Sequence, residues 1–297
     1  MKLGVSVMPE LPEVEHVKRG LEPFVLSETI ESVTFSETIH VSHENGRQAI
    51  LKGMSIEQFS YEIRGLTIQR IGRRSKYLLF TLSDDHREFL MLSHLGMSGA
   101  WFAVDTVDTI AEPKFRAHIH VIFQMESGRM LVYADIRRFG ELRLLHHIED
   151  HPPLGLIGPE PFDEGAEELF LAALDAPRFL QKPIKEVIMN HQVIAGCGNI
   201  YATEALFRGK IHPKRRVNRM SLQKRKELFH HIVEVLREGI EKGGSSISDY
   251  RNVNGQAGEM QDRLQMYGRK VCPACGSAIK QAVIGGRNSH YCTTCQH

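Results

Sequence analysis

Cys272-Pro273-Ala274-Cys275, then sixteen residues, then Cys292-Thr293-Thr294-Cys295 is the most specific pattern in this chain. Two CxxC knuckles at that separation have the spacing of a four-thiolate structural zinc site, and neither pair has the surroundings of a thioredoxin-like redox motif. Four of the five cysteines are used this way, which fits a reducing compartment and a metal and argues against disulfides. We expect one structural Zn2+ on Cys272, Cys275, Cys292 and Cys295, no organic cofactor, and Cys197 as a small buried hydrophobe. Between the knuckles, Ala278 to Ile284 and Ser289 to Cys292 can pair as a hairpin turned at Gly285-Gly286. Arg287 then stands at a tip stiffened by the metal in a small separate module, suited to a phosphate.

Upstream, Gly243-Gly244-Ser245-Ser246 opens a polar stretch to Gly258 with no periodic apolar face, expected as a loop. Before it, residues 166–174, 182–189, 200–207 and 221–240 have helical length and periodicity. Gly196-Cys197-Gly198-Asn199 interrupts them as the turn of a helix, two turns, helix unit. Asn199 is expected at the N-cap of the next helix, with free amides presented there to an anion. Arg208 to Lys226 holds nine basic residues and no carboxylate, a local phosphate attractor in a chain whose net charge is only +1.

Pro152, Pro153, Gly155, Gly158, Pro159 and Pro161 mark a domain boundary, because neither helix nor strand tolerates them well. Ahead of it, from Ile30 to about Leu145, short β-rich runs such as residues 67–71, 77–80, 89–92, 119–123 and 130–133 alternate with Gly, Asp and Ser turns. Their number and spacing predict a two-layer β-sandwich with the N-terminal helix at one edge. The fold class is thus α+β and multidomain. We divide it into a sandwich over 9–146, a linker over 147–165, a helical helix-two-turns-helix domain over 166–250, and a tail with the zinc-ribbon hairpin over 251–297. No apolar run approaches a membrane helix or a signal-peptide core, so a cytoplasmic protein without a membrane partner is expected.

The start of the chain carries the chemistry. In Met8-Pro9-Glu10-Leu11-Pro12-Glu13-Val14-Glu15, a chain beginning at Pro9 would expose a secondary amine, with Glu10 in reach of the same centre. With a pKa of roughly 8, about a tenth of such an amine is neutral and nucleophilic at pH 7. Pro12, Glu13 and Glu15 in a first turn, and Val14, Val17 and Leu21 on one face, predict a helix whose positive end lowers that pKa further. Pro9 acylated by Met8 is instead a tertiary amide without a basic lone pair, so the seven residues before Met8 are incompatible with this chemistry. A second candidate site is Asp135-Ile136-Arg137-Arg138-Phe139-Gly140, where a turn exposes an aromatic flanked by two guanidiniums. With Met97 in His94-Leu95-Gly96-Met97-Ser98-Gly99, Phe139 matches an apolar wedge entering a base stack, and Arg137 matches a reader of the orphaned base.

Pro9-Glu10, Lys76 in Gly72-Arg73-Arg74-Ser75-Lys76-Tyr77, Arg137-Arg138-Phe139-Gly140, Gly198-Asn199-Ile200-Tyr201 and the zinc hairpin come in the order found in the formamidopyrimidine-DNA glycosylase/endonuclease VIII family, and the chain from Met8 to Gln296 resembles it. Leu11, Met97, Arg137 and Phe139 resemble the formamidopyrimidine branch. The resemblance implies a monomeric, nucleoid-associated bacterial enzyme of base excision repair that acts on double-stranded DNA containing oxidised bases. It would flip an oxidised purine, 8-oxoguanine or a formamidopyrimidine, out of the duplex, attack C1′ through Pro9, and cut the strand by β,δ-elimination. By the same resemblance Pro9, Glu10, Lys76 and Arg287 are catalytic, and Lys76, Asn199 and Arg287 also contact phosphate. Met97, Arg137 and Phe139 fill the void, and His118 and Arg137 bind DNA. The loop from Ser245 to Met260 corresponds to the segment that closes over the extruded base. Gln181 stands where a basic DNA contact is usual, with Lys182 or Lys185 placed to compensate. Asn190 replaces a usual Asp and Met260 a usual Phe. Two other readings compete: an endonuclease VIII-like glycosylase for oxidised pyrimidines, and a non-catalytic zinc-ribbon DNA-binding protein.

Overall fold

The computed structural model describes residues 8–245 and 258–297; the extension before Met8 and most of the expected 245–260 loop lie outside them. The chain divides into two units. The first contains Pro9, Glu13–Gly155 and the segment around Gly243 and Gly258, and the second contains Glu10–Pro12, Leu156–Lys242 and Glu259–His297. The division after Gly155 falls inside the Pro/Gly stretch. The assignment of Glu10 to the second unit has no counterpart in a linear reading.

The first unit has α1 (Leu11–Val25), β1 (Ile30–Phe35), α2 (Glu37–Glu44), β2 (Ile50–Leu51), α3 (Ile56–Ile63), β3 (Thr67–Arg74), β4 (Tyr77–Ser83), β5 (Glu88–His94), β6 (Gly99–Val104), α4 (Pro113–Arg116), β7 (Ile119–Met125), β8 (Met130–Asp135), β9 (Glu141–Leu145) and α5 (Pro152–Gly155). Strands β1-β7-β8-β6 form one sheet and β2-β9-β5-β4-β3 the other. All pairs are antiparallel except β2 with β9. β4 shows the expected period of two, with Leu78, Phe80 and Leu82 buried between partly exposed neighbours. One apolar core joins inner residues of both sheets, such as Phe80, Met91, Trp101 and Phe123, to Val14, Val17 and Leu21 of α1.

The stretch from Ile30 to Leu145 is less uniformly stranded than its sequence suggests, because α2 and α3 interrupt it. Ser55 caps α3 by accepting from the Gln58 amide at 3.1 Å, and Ile56, Phe59 and Ile63 bury one face. In α1 the helix begins at Leu11, so Pro12 comes second, still within the turn that has no amide bonds to lose.

The second unit comprises α6 (Ala166–Leu174), α7 (Pro177–Leu180), α8 (Ile184–Ile188), α9 (Asn199–Arg208), α10 (Leu222–Glu241), α11 (Met260–Arg263) and the hairpin β10 (Lys280–Ile284) with β11 (Arg287–Tyr291). The zinc hairpin is not a separate module. Glu204 of α9, fully buried, accepts from the Gln265, Met266 and Tyr267 amides at 2.8, 3.0 and 2.7 Å, and Gln296 donates to the Ile211 carbonyl at 2.9 Å. Among the described residues no helix is long and apolar enough to cross a membrane.

Candidate active site

Glu10 is seated by the second unit. Its carboxylate accepts from the amides of Gly198 (2.8 Å), Ile200 (2.9 Å) and Tyr201 (3.4 Å), at the N-terminus of α9, and the residue is 2 % exposed. Those are orphan amides at the positive end of the helix dipole, so the anion expected there is the protein's own. This corrects the picture of amides left free for an outside ligand. The N-cap is Gly198, and Asn199 opens the helix. Glycine is required at 198 because a Cβ would overlap the Glu10 carboxyl group. Pro9, which precedes Glu10, is buried.

Behind this carboxylate lies Lys185, fully buried, its ammonium 2.7 Å from the Thr203 hydroxyl, which itself donates to the Asn199 carbonyl at 2.7 Å. Burial lowers the Lys185 pKa to about 7 against the opposing pull of Glu10, Cys197 and Glu204. Lys185 therefore cannot reach a surface phosphate in place of the missing base at 181, since its ammonium faces inward. Lys182 is tied to Glu186 at 2.7 Å. Arg216 stands beside Gln181, its guanidinium 3.2 Å from the side-chain oxygen, and is the cation that supplies charge at that position. Cys197 is buried, as expected.

The hairpin pairs Ile284 with Arg287 across Gly285-Gly286, whose φ values of +57° and +72° match a two-residue turn of the primed type. Arg287 is exposed at the tip, with the Gly286 carbonyl 3.5 Å away. Asn199 reaches across to donate to the Asn288 carbonyl at 3.1 Å, which links α9 to this tip. The four cysteine sulfurs all lie within 4.8 Å of one another, with Cys272–Cys295 at 3.8 Å and Cys275–Cys292 at 3.5 Å. A zinc–sulfur bond of about 2.3 Å in tetrahedral geometry requires sulfurs about 3.8 Å apart, so the cluster fits zinc.

In the first unit, Ser75-Lys76 forms the two-residue turn between β3 and β4, with Ser75 at φ +54°. Tyr77 pairs with His94 of β5, ring centroids 4.9 Å apart. Burial first, then the Lys76 charge, lowers the His94 pKa to about 4. The neutral ring accepts from the Gly96 amide through Nδ1 at 3.2 Å, so its proton sits on Nε2 as a donor. His94 was legible only as part of its motif; its pairing with the Lys76 turn is what marks it as a site residue.

Asp135, completely buried, organises the second candidate turn. One carboxylate oxygen accepts from Ser98 Oγ (2.6 Å) and the Arg137 amide (3.1 Å), the other from the Gly140 amide (2.8 Å). Gly96, at φ +61°, lies so close to the Phe139 backbone that a Cβ would overlap it, which brings the Met97 loop against the Phe139 turn. Phe139 is 58 % exposed and the Arg137 guanidinium lies 5.0 Å from its ring centroid. His118 accepts or donates at the Lys114 carbonyl (2.7 Å) near the start of β7. Of the two other departures, Asn190 caps its own turn by accepting from the Gln192 amide at 2.9 Å, as an Asp would, and Met260 is fully buried at the start of α11.

Family models match almost the whole chain: the formamidopyrimidine-DNA glycosylase N-terminal domain over residues 8–142, its H2TH domain over 157–251, and the zinc finger found in FPG and IleRS over 269–297. The chain belongs to the formamidopyrimidine-DNA glycosylase family. A formamidopyrimidine-DNA glycosylase of Streptococcus pyogenes serotype M3 is 39 % identical over 294 residues, covering 97 % of this chain and 98 % of that one. One from Halalkalibacterium halodurans is 37 % identical over 97 % of this chain and all of its own. Among solved structures, the Lactococcus lactis Fpg in complex with DNA containing an abasic site matches with a TM-score of 0.80 at 35 % identity, covering 97 % and 99 % of the two chains. The MutM (FPG) protein of Thermus thermophilus matches with a TM-score of 0.80 at 34 % identity, covering 97 % and 98 %.

Proposed function

We propose that this formamidopyrimidine-DNA glycosylase family member excises oxidised purines, 8-oxoguanine and formamidopyrimidines, from duplex DNA and then cleaves the strand, working in the bacterial cytoplasm at the nucleoid. The observation that carries this reading is Glu10, a buried carboxylate seated on three amides directly after Pro9. The Pro9 nitrogen, once free, donates its lone pair to C1′ of the flipped nucleotide, and the glycosidic pair leaves with the base. Glu10 moves protons at the sugar. Loss of the proline proton and opening of the sugar give an iminium, which acidifies C2′; loss of that proton expels the 3′ phosphate, and a second elimination expels the 5′ phosphate.

Lys76 and Arg287 stabilise the departing phosphates by charge, since neither is a strong acid at its ordinary pKa. The His94 Nε2 proton is a neutral donor for the same backbone. Asn199 holds the Arg287 tip in register with α9, and Arg216 takes up the phosphate that a base at Gln181 would bind. Met97 and Phe139 fill the space left by the flipped nucleotide, and Arg137 reads the orphaned base. His118 contributes to the DNA surface of the same unit. Bound zinc supplies rigidity to the hairpin and takes no part in the chemistry.

Borohydride reduction tests this directly. Protein beginning at Pro9 should be trapped covalently on an 8-oxoguanine duplex, and protein carrying residues 1–8 should not. Absence of trapping by the processed protein would sink the proposal, and binding of abasic duplex without cleavage would indicate a non-catalytic clamp. Preferential excision of thymine glycol over 8-oxoguanine opposite cytosine would move the enzyme to the oxidised-pyrimidine branch.

A further inference from the structure

The first unit contains an open groove of about 960 Å³ between α2, the segment leading into β2, and the Arg137–Phe139 turn. Arg47, Lys52, Arg137 and Arg138 line it, with Ser42 and Phe139, and none of its lining residues is Asp or Glu. Among the described residues no carboxylate pairs with any of the four cations. The Lys52 ammonium rests on the neutral Gln48 carbonyl, and Arg137 lies over the Phe139 ring. By contrast, the smaller groove lined by His40, His43, Glu44 and Glu57 carries acidic groups. Positive charge is therefore sorted to the side of α2 that faces the wedge.

The backbone around this groove is held in costly conformations. Ile50 has φ +61°, a left-handed geometry that a β-branched residue rarely adopts, and Arg138 has φ +56°. Ile50 is retained there because it and Leu51 are fully buried, pair with Glu141 and Leu142 of β9, and are followed by a 2.9 Å bond from the Lys52 amide to the Leu142 carbonyl. Arg47 and Lys52 thus sit on a clamped segment beside the wedge, not on a free loop.

We propose that this groove binds a backbone phosphodiester of the undamaged DNA strand, next to the nucleotide orphaned by base flipping. The inference rests on the functional reading above: Arg137 and Phe139 occupy the place of the flipped base, so they face the orphaned base, and the groove flanking the same turn meets the strand that base belongs to. Guanidinium forks and an ammonium with no acidic partner are the donor set that a phosphodiester oxygen pair requires.

The test measures affinity over a salt series for a duplex with a tetrahydrofuran abasic analogue opposite cytosine. The Arg47→Ala/Lys52→Ala protein should show a log–log salt slope shallower than wild type by about 1.8, at about 0.9 per lost phosphate contact. Its single-turnover excision of 8-oxoguanine at saturating enzyme should be unchanged. Neutral methylphosphonates beside the orphan position on the undamaged strand should flatten the wild-type slope but not the variant's, and the same substitution on the lesion strand should flatten both equally. An unchanged slope in the variant overturns the proposal, and so does a wild-type slope indifferent to methylphosphonates on the undamaged strand, a result independent of whether the variant folds. A wild-type protein that neither binds nor cuts the duplex would remove the functional reading and this one with it.

Discussion

The Arg137–Phe139 turn and the Arg287 turn each present an arginine to DNA, yet they are made rigid by opposite means. The first is tied to the sandwich by a buried carboxylate with three donors: the Ser98 hydroxyl and the Arg137 and Gly140 amides. The second is a five-residue strand pair whose base is gathered by four sulfurs. One turn is part of a core and fails only by mutation. The other depends on an ion, and chemistry alone can remove it.

Stripping the zinc should give the largest effect. With the hairpin unfolded, Arg287 and the Asn199–Asn288 contact are lost together, and strand cutting should fall by about 10²- to 10³-fold, the usual result of losing one preorganised donor. Trp101, the only tryptophan and fully buried in the sandwich, should keep its emission throughout. A loss of Trp101 emission on chelation would erase the contrast between the two turns. The converse variant, Asp135→Ala, leaves three donors without their acceptor and should cost about 3 kcal/mol at about 1 kcal/mol each. Denaturant unfolding followed at Trp101 measures it, and zinc content should stay at one per chain; a midpoint unmoved by this variant would mean that the carboxylate does not hold the turn.

The smallest effect concerns what besides zinc stiffens the second unit. In the folded protein Lys185 gives up its proton near pH 7, whereas in the unfolded chain it does so near its ordinary 10.5. Between those values the unfolded state carries more protons, so stability should rise with pH across that window, and below it the full cost of a buried ammonium is present. Lys185→Met should abolish the slope and be the more stable protein at neutral pH. An identical slope in both proteins, from calorimetry at several pH values, would place the lysine's titration elsewhere.

What the sequence revealed was short-range. The cysteine spacing, the Gly285-Gly286 turn and the apolar face of α1 each lie within one element or one hairpin, where period and turn chemistry decide. The seat of Glu10 was hidden because its donors lie 188 to 191 positions away, and nothing in a local window links a carboxylate to distant helix amides. For the same reason Lys185 read as a surface cation: its neighbours on α8 and α9 bury it, and a lysine in a basic stretch gives no sign of that. The helices α2 and α3 escaped notice because they are only eight residues long and lie among strong β-formers.

The distance between Glu10 and its seat also bears on the order of synthesis. The residue that must attend the nucleophile is translated almost first, and the amides that fix it are translated some two-thirds of the way along the chain. A nascent or truncated polypeptide ending before Gly198 carries Pro9 and Glu10 without the seat. Fragments from aborted translation or proteolysis therefore bear the reactive amine but lack its partner's support, and the cell's intact genome is shielded from half-made copies of an enzyme that cuts it.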